Sequence, residues 1–320
     1  MGARRHVLIL TAVVLLAGCT SPGSLSPATT VEPELGDVPV ITTPEQISMP
    51  IYEFMPSVDQ TVAIMFRSQD LVNDCLAAAG SSLQVLIEDM HGDVYHLTPA
   101  TTASVTQYVT LERNDDKVRN ALWGFFDTSS VATNGYDRPA DSPRIASTNG
   151  GDDPDAVSCL ARVGAITPGG IAMEPFDFGL LPDGGPPLPS GDSRFVDAEA
   201  QWSSCLAAKG FTYATPIEAE GYLQTVQIDT ITAKTADDQA KVATEESTEK
   251  ALAVADVQCK LQTNLVGIGV AVQSAYEQRY IDTHRDQLKA LQVQISDFLS
   301  GKVAVPDAVP SSAQPSSGQS

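Results

Sequence analysis

The stretch TEESTEKALAVADVQCKLQTNLVGIGVAVQSAYEQRYIDTHRDQLKALQVQISDFLS, from Thr244 to Ser300, decides the fold. Its apolar residues recur at steps of three and four, the spacing of one face of an α-helix. The stripe consists of Val254, Val257, Leu261, Leu265, Ile268, Val272, Tyr276, Tyr280, Leu288, Leu291, Ile295 and Phe298. No proline interrupts it before Pro306, so the pattern predicts one helix of about 80 Å.

A stripe of that length needs an apolar partner along the whole helix. The sequence therefore predicts a mainly α fold, in which a very long C-terminal helix packs as a hairpin or coiled coil. His284 fills the one gap in the stripe. This position favours a partly buried structural histidine over a catalytic base.

The amino terminus, residues 1–18, is typical of a bacterial signal peptide. Arg4 and Arg5 precede an apolar run that is too short to span a bilayer as a mature helix. The run ends in Leu16-Ala17-Gly18-Cys19, which resembles the lipobox of bacterial lipoproteins. That resemblance implies a diacylglyceryl group on the Cys19 thiol and cleavage before it, hence a stable anchor on the outer face of the cell membrane. An ordinary secretory signal with a chance cysteine is the alternative.

Composition divides the rest of the chain into segments. Residues 19–45 are rich in Ser, Pro, Thr and Gly and are predicted to form a disordered tether. A Gly/Pro-rich linker over 167–193 is predicted to separate an N-terminal helical and hairpin half, 46–166, from a C-terminal helical half, 194–300. Residues 301–320 are predicted to be a disordered tail.

The charge of the chain excludes whole classes of partner. The formal net charge is -21, and loss of the signal segment with its two arginines leaves -23. So acidic a chain is repelled by nucleic acid and by anionic lipid, and neither is expected as a partner. We expect contact with the membrane only through the lipid on Cys19, and with a cell-envelope protein or a cell-wall component.

Four cysteines remain after Cys19, namely Cys75, Cys159, Cys205 and Cys259. In an oxidising compartment they suggest two disulfides, for which three connectivities exist. We favour Cys75–Cys159 and Cys205–Cys259, since each pair lies within one half of the chain, although the sequence alone does not choose. No CxxC pair exists and no histidine stands at zinc-site spacing from a cysteine, so no metal or cofactor is predicted.

In the first half, Ser57-Val58-Asp59-Gln60 resembles a capping box and predicts a helix from about Val58 to Ala79. Leu83–Glu88 and Val94–Thr98 predict two short strands around a turn at His91-Gly92-Asp93. A short helix is expected over Lys117–Phe126.

Two small acidic clusters in this half could hold a metal ion. Asp89, His91, Asp93 and His96 invite that hypothesis, but a polar hairpin is the simpler interpretation. The carboxylates of Asp152, Asp153 and Asp155 do not follow the order of an EF-hand loop, which favours a solvated loop.

The second half has clearer helix signals. A helix over Arg194–Lys209 is expected to place Trp202 and Cys205 on one face, and Thr215-Pro216-Ile217-Glu218 predicts another helix start. Trp202, Phe211 and Tyr213 are candidate binding residues, as an aromatic patch that stacks on sugar rings. Core packing over a disulfide is the alternative interpretation of the same residues.

One resemblance extends over most of Leu71–Leu299 and is specific over about Trp202–Tyr280. The phrases Trp202-Ser203-Ser204-Cys205-Leu206-Ala207-Ala208-Lys209-Gly210-Phe211-Thr212-Tyr213 and Ala253-Val254-Ala255-Asp256-Val257-Gln258-Cys259-Lys260 resemble actinobacterial lipoproteins and secreted proteins of unknown function. The resemblance implies the Cys205–Cys259 bond and a mainly helical fold. It implies no activity.

The chain contains no nucleophile elbow, no phosphate-binding glycine loop and no HExxH motif. The sequence therefore predicts a lipid-anchored extracytoplasmic surface lipoprotein that binds an envelope component without turning it over. The alternative is an extracytoplasmic hydrolase of cell-wall glycan, with catalytic acids from the loops Gly151–Asp155 and Asp183–Asp192.

Overall fold

The computed structural model describes residues 31–89, 94–95, 99–138, 142, 145–148, 151–170 and 178–308. The protein is mainly helical, as predicted. The α-helices are α1 Val58–Ala78, α2 Pro99–Val118, α3 Val131–Asn134, α4 Pro154–Gly164, α5 Ser193–Ala208, α6 Pro216–Glu220, α7 Tyr222–Thr232, α8 Ala236–Thr263 and α9 Leu265–Leu299. The strands are β1 Leu86–Asp89, β2 Val94–Tyr95, β3 Arg119–Asn120, β4 Gly124–Phe125 and β5 Ile145–Thr148.

The long C-terminal helix is present as α9, but the prediction of one helix over Thr244–Ser300 is wrong. Helix α8 ends at Thr263 and α9 begins at Leu265, because Asn264 adopts the left-handed conformation at φ 53°. Asparagine tolerates this conformation better than most residues. The Asn264 side-chain amide donates a 3.0 Å hydrogen bond to the carbonyl of Pro39, so an N-terminal segment crosses the chain at the break.

The helices pack around α5, which contacts both α8 and α9. Helices α7 and α8 form a helical hairpin through the connection 233–235, with Lys241 and Asp229 paired at 2.7 Å. Helix α1 lies against α2, α4 and α9. The main core joins α5, α8 and α9 to residues 41–55 and 122–136.

Local sequence signals explain several helix boundaries. Helix α1 begins where its capping box predicts, with the Ser57 hydroxyl accepting a hydrogen bond from the Gln60 amide at 3.2 Å. The Thr215–Glu218 capping box starts α6, and Pro216 occupies its first turn. These reciprocal side-chain bonds satisfy amides that a helix leaves without partners.

The predicted hairpin is present as β1 and β2, which pair antiparallel with Ile87 opposite Tyr95. Strand β5 adds a third strand on the other side of β1, which the sequence analysis did not predict. The predicted turn at 91–93 and His96 of the metal hypothesis lie outside the described residues.

The helix predicted over Lys117–Phe126 is wrong. Helix α2 ends at Val118, and residues 119–125 form the small antiparallel pair β3–β4 instead. Asn120 turns the chain by accepting a 2.8 Å hydrogen bond from the Leu122 amide. Gly124 then takes φ +66°, a conformation that glycine adopts readily.

Parts of the predicted N-terminal tether and C-terminal tail pack against the helices. Pro33 and Ile41 are buried, so the predicted tether over 19–45 extends too far along the chain. At the other end, the Pro306 carbonyl accepts a 2.6 Å hydrogen bond from Arg162, so the predicted tail over 301–320 begins too early. Residues 1–30 and 309–320 lie outside the description.

The two predicted halves share one core, and the described residues from Pro33 onward form one compact unit. Gly269 of α9 lies so close to Trp123 that a β-carbon there would stand 2.8 Å from the ring. Part of the predicted linker is also packed, since Leu181 is buried and Tyr280 donates a 2.6 Å hydrogen bond to the Pro182 carbonyl. No helix in the described part of the chain is both long and apolar enough to cross a bilayer.

Candidate functional site

Two disulfides tie the helices together, and both favoured pairings are confirmed. Cys75 of α1 is bonded to Cys159 of α4, and Cys205 of α5 is bonded to Cys259 of α8. The Cα atoms of each pair are 5.7 Å apart, an ordinary distance for a disulfide.

A buried polar cluster, which we call the Asp256 hub, lies beside the second disulfide. The Trp202 indole donates to Asp256 Oδ1 at 2.8 Å, and the Tyr136 hydroxyl donates to Asp256 Oδ2 at 3.2 Å. Lys260, one turn further along α8, donates to the same Oδ2 at 2.7 Å and to the Phe125 carbonyl at 2.6 Å. One carboxylate thus joins α5, α8 and the segment that follows α3.

The hub has the buried ionisable groups that often mark a catalytic site. Burial raises the pKa of Asp256 and lowers that of Lys260, while the attraction between them opposes both shifts. Yet both side chains are 0% exposed, and their polar atoms are held by protein groups. A substrate has no path to them, so the hub acts as an internal brace.

A second buried carboxylate extends this brace. Glu249 accepts a 2.5 Å hydrogen bond from the Tyr136 amide, and burial raises the pKa of Glu249. Gly135, at φ +63°, faces this carboxylate, which leaves no room for a β-carbon. Arg119 links the Tyr136 carbonyl to Glu220, so the loop is fixed from both sides.

The predicted aromatic binding patch is wrong for Trp202, because its ring is 0% exposed and its indole is committed to the hub. Phe211 and Tyr213 are half-buried and pack against the same core. The Tyr213 carbonyl accepts a 2.6 Å hydrogen bond from Ser203. Core packing over the disulfide, the alternative interpretation, describes these aromatic residues.

The hub was missed as a unit, although the sequence contained a signal for it. Asp256 and Lys260 stand four residues apart within the apolar stretch of α8. Residues at that spacing lie on the same face of a helix. Charged residues are rarely buried unless they are paired, so an Asp and a Lys on a buried face are expected to form an ion pair with each other.

An open groove between α1 and α2, which we call the α1–α2 groove, is the best candidate for a binding site. Its volume is about 740 Å³. The residues that line it are Asp59, Val62, Ala63, Phe66, Arg67, Asp70, Leu71, Asp74, Thr102, Thr106 and Leu299. Apolar side chains form its floor, a common arrangement in sites that bind amphipathic ligands.

The charges of the groove are asymmetric. Asp59, Asp70 and Asp74 are exposed and all lie on α1, whereas the α2 wall provides threonine hydroxyls. Burial, with Asp74 nearby, raises the pKa of Asp70. The Arg67 guanidinium stacks over the ring of Phe298 at 5.5 Å, and its Nε is buried without a partner among the described residues.

The α1–α2 groove does not have the arrangement of acids that glycoside hydrolysis uses. Glycoside hydrolysis needs two carboxyl groups that flank the scissile bond, but the acids of the groove stand on one wall. Three acids of the loops predicted for a hydrolase have structural contacts. Asp153 and Asp192 cap α4 and α5, and Asp183 lies 3.3 Å from His284.

His284 has a structural setting. Its ring stacks on Tyr280 with centroids 4.2 Å apart, and its Nδ1 lies 2.9 Å from the Tyr280 carbonyl. The backbone departs from helical geometry at His284, with φ -111° and ψ 15°. Among the described residues no group of three or more His, Cys, Asp or Glu side chains is arranged to hold a metal ion.

Comparisons of the chain with protein-family models, with curated proteins and with solved structures gave no match.

Proposed function

We propose that the protein is a lipid-anchored lipoprotein on the outer face of a bacterial cell membrane, and that it works as a non-enzymatic binding module of the cell envelope. The anchor rests on the lipobox-like sequence ending in Cys19, which lies outside the described residues. Two disulfides support an oxidising compartment, since such bonds are rare in the reducing cytosol.

The observation that carries the binding function is the α1–α2 groove. It offers an apolar floor and an acidic wall on the surface, while the buried ion pair of Asp256 and Lys260 is enclosed in the Asp256 hub. A surface of this kind can hold a ligand without reacting with it. We place that role ahead of the hydrolase because the groove lacks carboxylates on opposite walls.

We also propose membership of the actinobacterial lipoprotein group that the two sequence phrases resemble. Its distinctive residues meet at one place: Trp202, Asp256 and Lys260 in the hub, and Cys205 and Cys259 in the adjacent disulfide. A shared structural brace is a physical reason for those phrases to occur together. The resemblance implies no activity.

The anchor is tested by expression of the full chain and of Cys19→Ser in a bacterial host. Intact mass spectrometry of the membrane fraction is expected to find a diacylglyceryl mass on wild-type Cys19, and the variant is expected in the soluble extracytoplasmic fraction. Unmodified wild-type protein in the cytosol would contradict the proposal.

Binding without turnover is tested by incubating the full chain, with both disulfides formed, with purified cell-wall glycan. We expect no release of reducing sugar, with lysozyme as the positive control. Release of reducing sugar by the wild-type chain would overturn the non-enzymatic proposal in favour of the hydrolase.

A further inference from the structure

The α1 wall of the groove is a long stripe along one side of the helix. Its lining residues follow one another at helical spacing from Asp59 to Asp74, with Phe66 and Asp70 between them. At 1.5 Å per residue these fifteen steps cover about 22 Å, or four turns of helix. A ligand that fills the stripe therefore has to be elongated.

The stripe combines an apolar floor with an acidic rim. Val62 and Phe66 are 4% exposed and form the floor at the α1–α2 contact. Asp70 and Asp74 stand one turn apart at the rim and are exposed. An occupant with an apolar face, and with positive charges along the edge of that face, would match both features.

We propose that the α1–α2 groove is the docking site for a basic amphipathic helix of about fifteen residues, presented by a partner protein. The apolar face of the helix covers Ala63 and Leu71, which reach the surface of the groove above its buried floor. Its lysines or arginines meet Asp70 and Asp74. This inference rests on the proposed binding function and names its ligand class. The length of the stripe and its charge favour a helix over a small metabolite.

The chain supplies a second reason to expect a basic partner. The net charge of -21 repels an acidic one at long range and accelerates the approach of a cationic one. Long-range attraction does not select a site, however. The choice of binding site has to come from the groove, where the apolar floor and the acidic rim lie together.

The probe is a fluorescently labelled fifteen-residue peptide of lysine and leucine at helical amphipathic spacing. Fluorescence anisotropy measures its binding to the full chain with intact disulfides. A peptide of the same composition with the leucines scrambled tests the apolar face, and a glutamate and leucine peptide tests the charge. We expect saturable binding of the first peptide alone.

Two sets of variants test the site. Asp70→Asn with Asp74→Asn is expected to weaken binding on the order of tenfold, since each exposed pair contributes modestly. Asp152→Asn with Asp155→Asn removes the same charge at the start of α4, outside the groove, and is expected to leave binding unchanged. Ala63→Trp fills the groove at an exposed position and is expected to abolish binding.

The proposal would be overturned if the two double variants weakened binding equally, or if the scrambled peptide bound as tightly as the amphipathic one. Either result would show that the peptide is attracted by the overall charge and does not bind in the groove. Equal competition by dodecylamine would also overturn it and indicate a small-molecule site. These failures are distinct from failure of the proposed function, which would show itself as an unmodified Cys19 or as release of sugar.

Discussion

Glu277 of α9 is a carboxyl group enclosed in the core, and its replacement tests the electrostatics of the fold. Its side chain is 0% exposed. One oxygen accepts a 3.1 Å hydrogen bond from the Ile51 amide and the other accepts a 3.0 Å bond from the Gln273 amide. No cation among the described residues forms an ion pair with it. Burial raises the pKa of Glu277 to about 7, although the two hydrogen bonds act to lower that pKa.

A raised pKa has a definite consequence for stability. The unfolded chain ionises Glu277 near 4.5, whereas the folded protein holds its proton until about 7. The contribution of the neutral carboxyl to stability is therefore complete below pH 4.5 and is lost as the pH rises through 7. At 1.36 kcal/mol per pKa unit, the total loss is about 3 kcal/mol, of which about 2 kcal/mol falls between about pH 5.5 and pH 8.

Glu277→Gln keeps the shape and the acceptor for Ile51 but cannot ionise. We expect its free energy of unfolding to exceed that of the wild type increasingly as the pH rises, by about 2 kcal/mol over that same interval. Urea denaturation at several pH values, followed by circular dichroism, measures the difference. The difference between the wild type and Glu277→Gln removes the pH dependence that comes from the groups that titrate in both proteins.

The matched control is Glu246→Gln, an exposed position on α8. Its unfolding free energy is expected to run parallel to that of the wild type at every pH. If Glu277→Gln also runs parallel, Glu277 is ionised in the folded protein, and the reasoning from its burial fails.

Three further predictions concern the brace and the disulfide beside it. Lys260→Met is expected to destabilise the protein by about 3–5 kcal/mol because it leaves a buried unpaired charge, and Asp256→Asn with Lys260→Met is expected to cost less in the same urea assay. Cys205→Ser with Cys259→Ser removes a link across 54 residues and is expected to cost about 4 kcal/mol, measured as a fall in the urea midpoint; an unchanged midpoint would contradict the entropic account. Gly135→Ala is expected to lower the melting temperature by calorimetry, because φ +63° and the facing carboxylate both oppose a β-carbon; an equal melting temperature would show that the loop relaxes freely.

The sequence was sufficient where local chemistry decides the structure. The capping boxes at Ser57 and Thr215 mark helix starts because the bonds join residues only three apart. The sequence left three disulfide connectivities open, and the favoured one, which pairs cysteines within each half of the chain, is the one observed. The apolar stripe placed α9 on the core, as the buried Leu288 and Ile295 show.

Features that depend on distant residues could not be predicted in this way. The break at Asn264 leaves the apolar spacing intact, and the Pro39 carbonyl that the Asn264 side chain bonds lies far along the chain. Helix α2 is rich in threonine and valine, which are weak helix formers. It is stabilised by burial of Val105 and Val109 against α1. Because α2 was not predicted, the groove that it forms with α1 could not be predicted either.

The packed N-terminal segment determines how the protein would bear a mechanical load. Residues 33–53 are held at four backbone atoms by side chains of α5, of the α8–α9 junction and of α9. Tension at the amino end loads these bonds before it reaches α1. The disulfides enclose 84 and 54 residues, and the pulling force passes through the S–S bonds instead of through these residues. The enclosed residues therefore cannot extend, which removes on the order of 450 Å from the extension of the unfolded chain. Under tension the oxidised protein is therefore a short, stiff link, and its reduction would release the stored length.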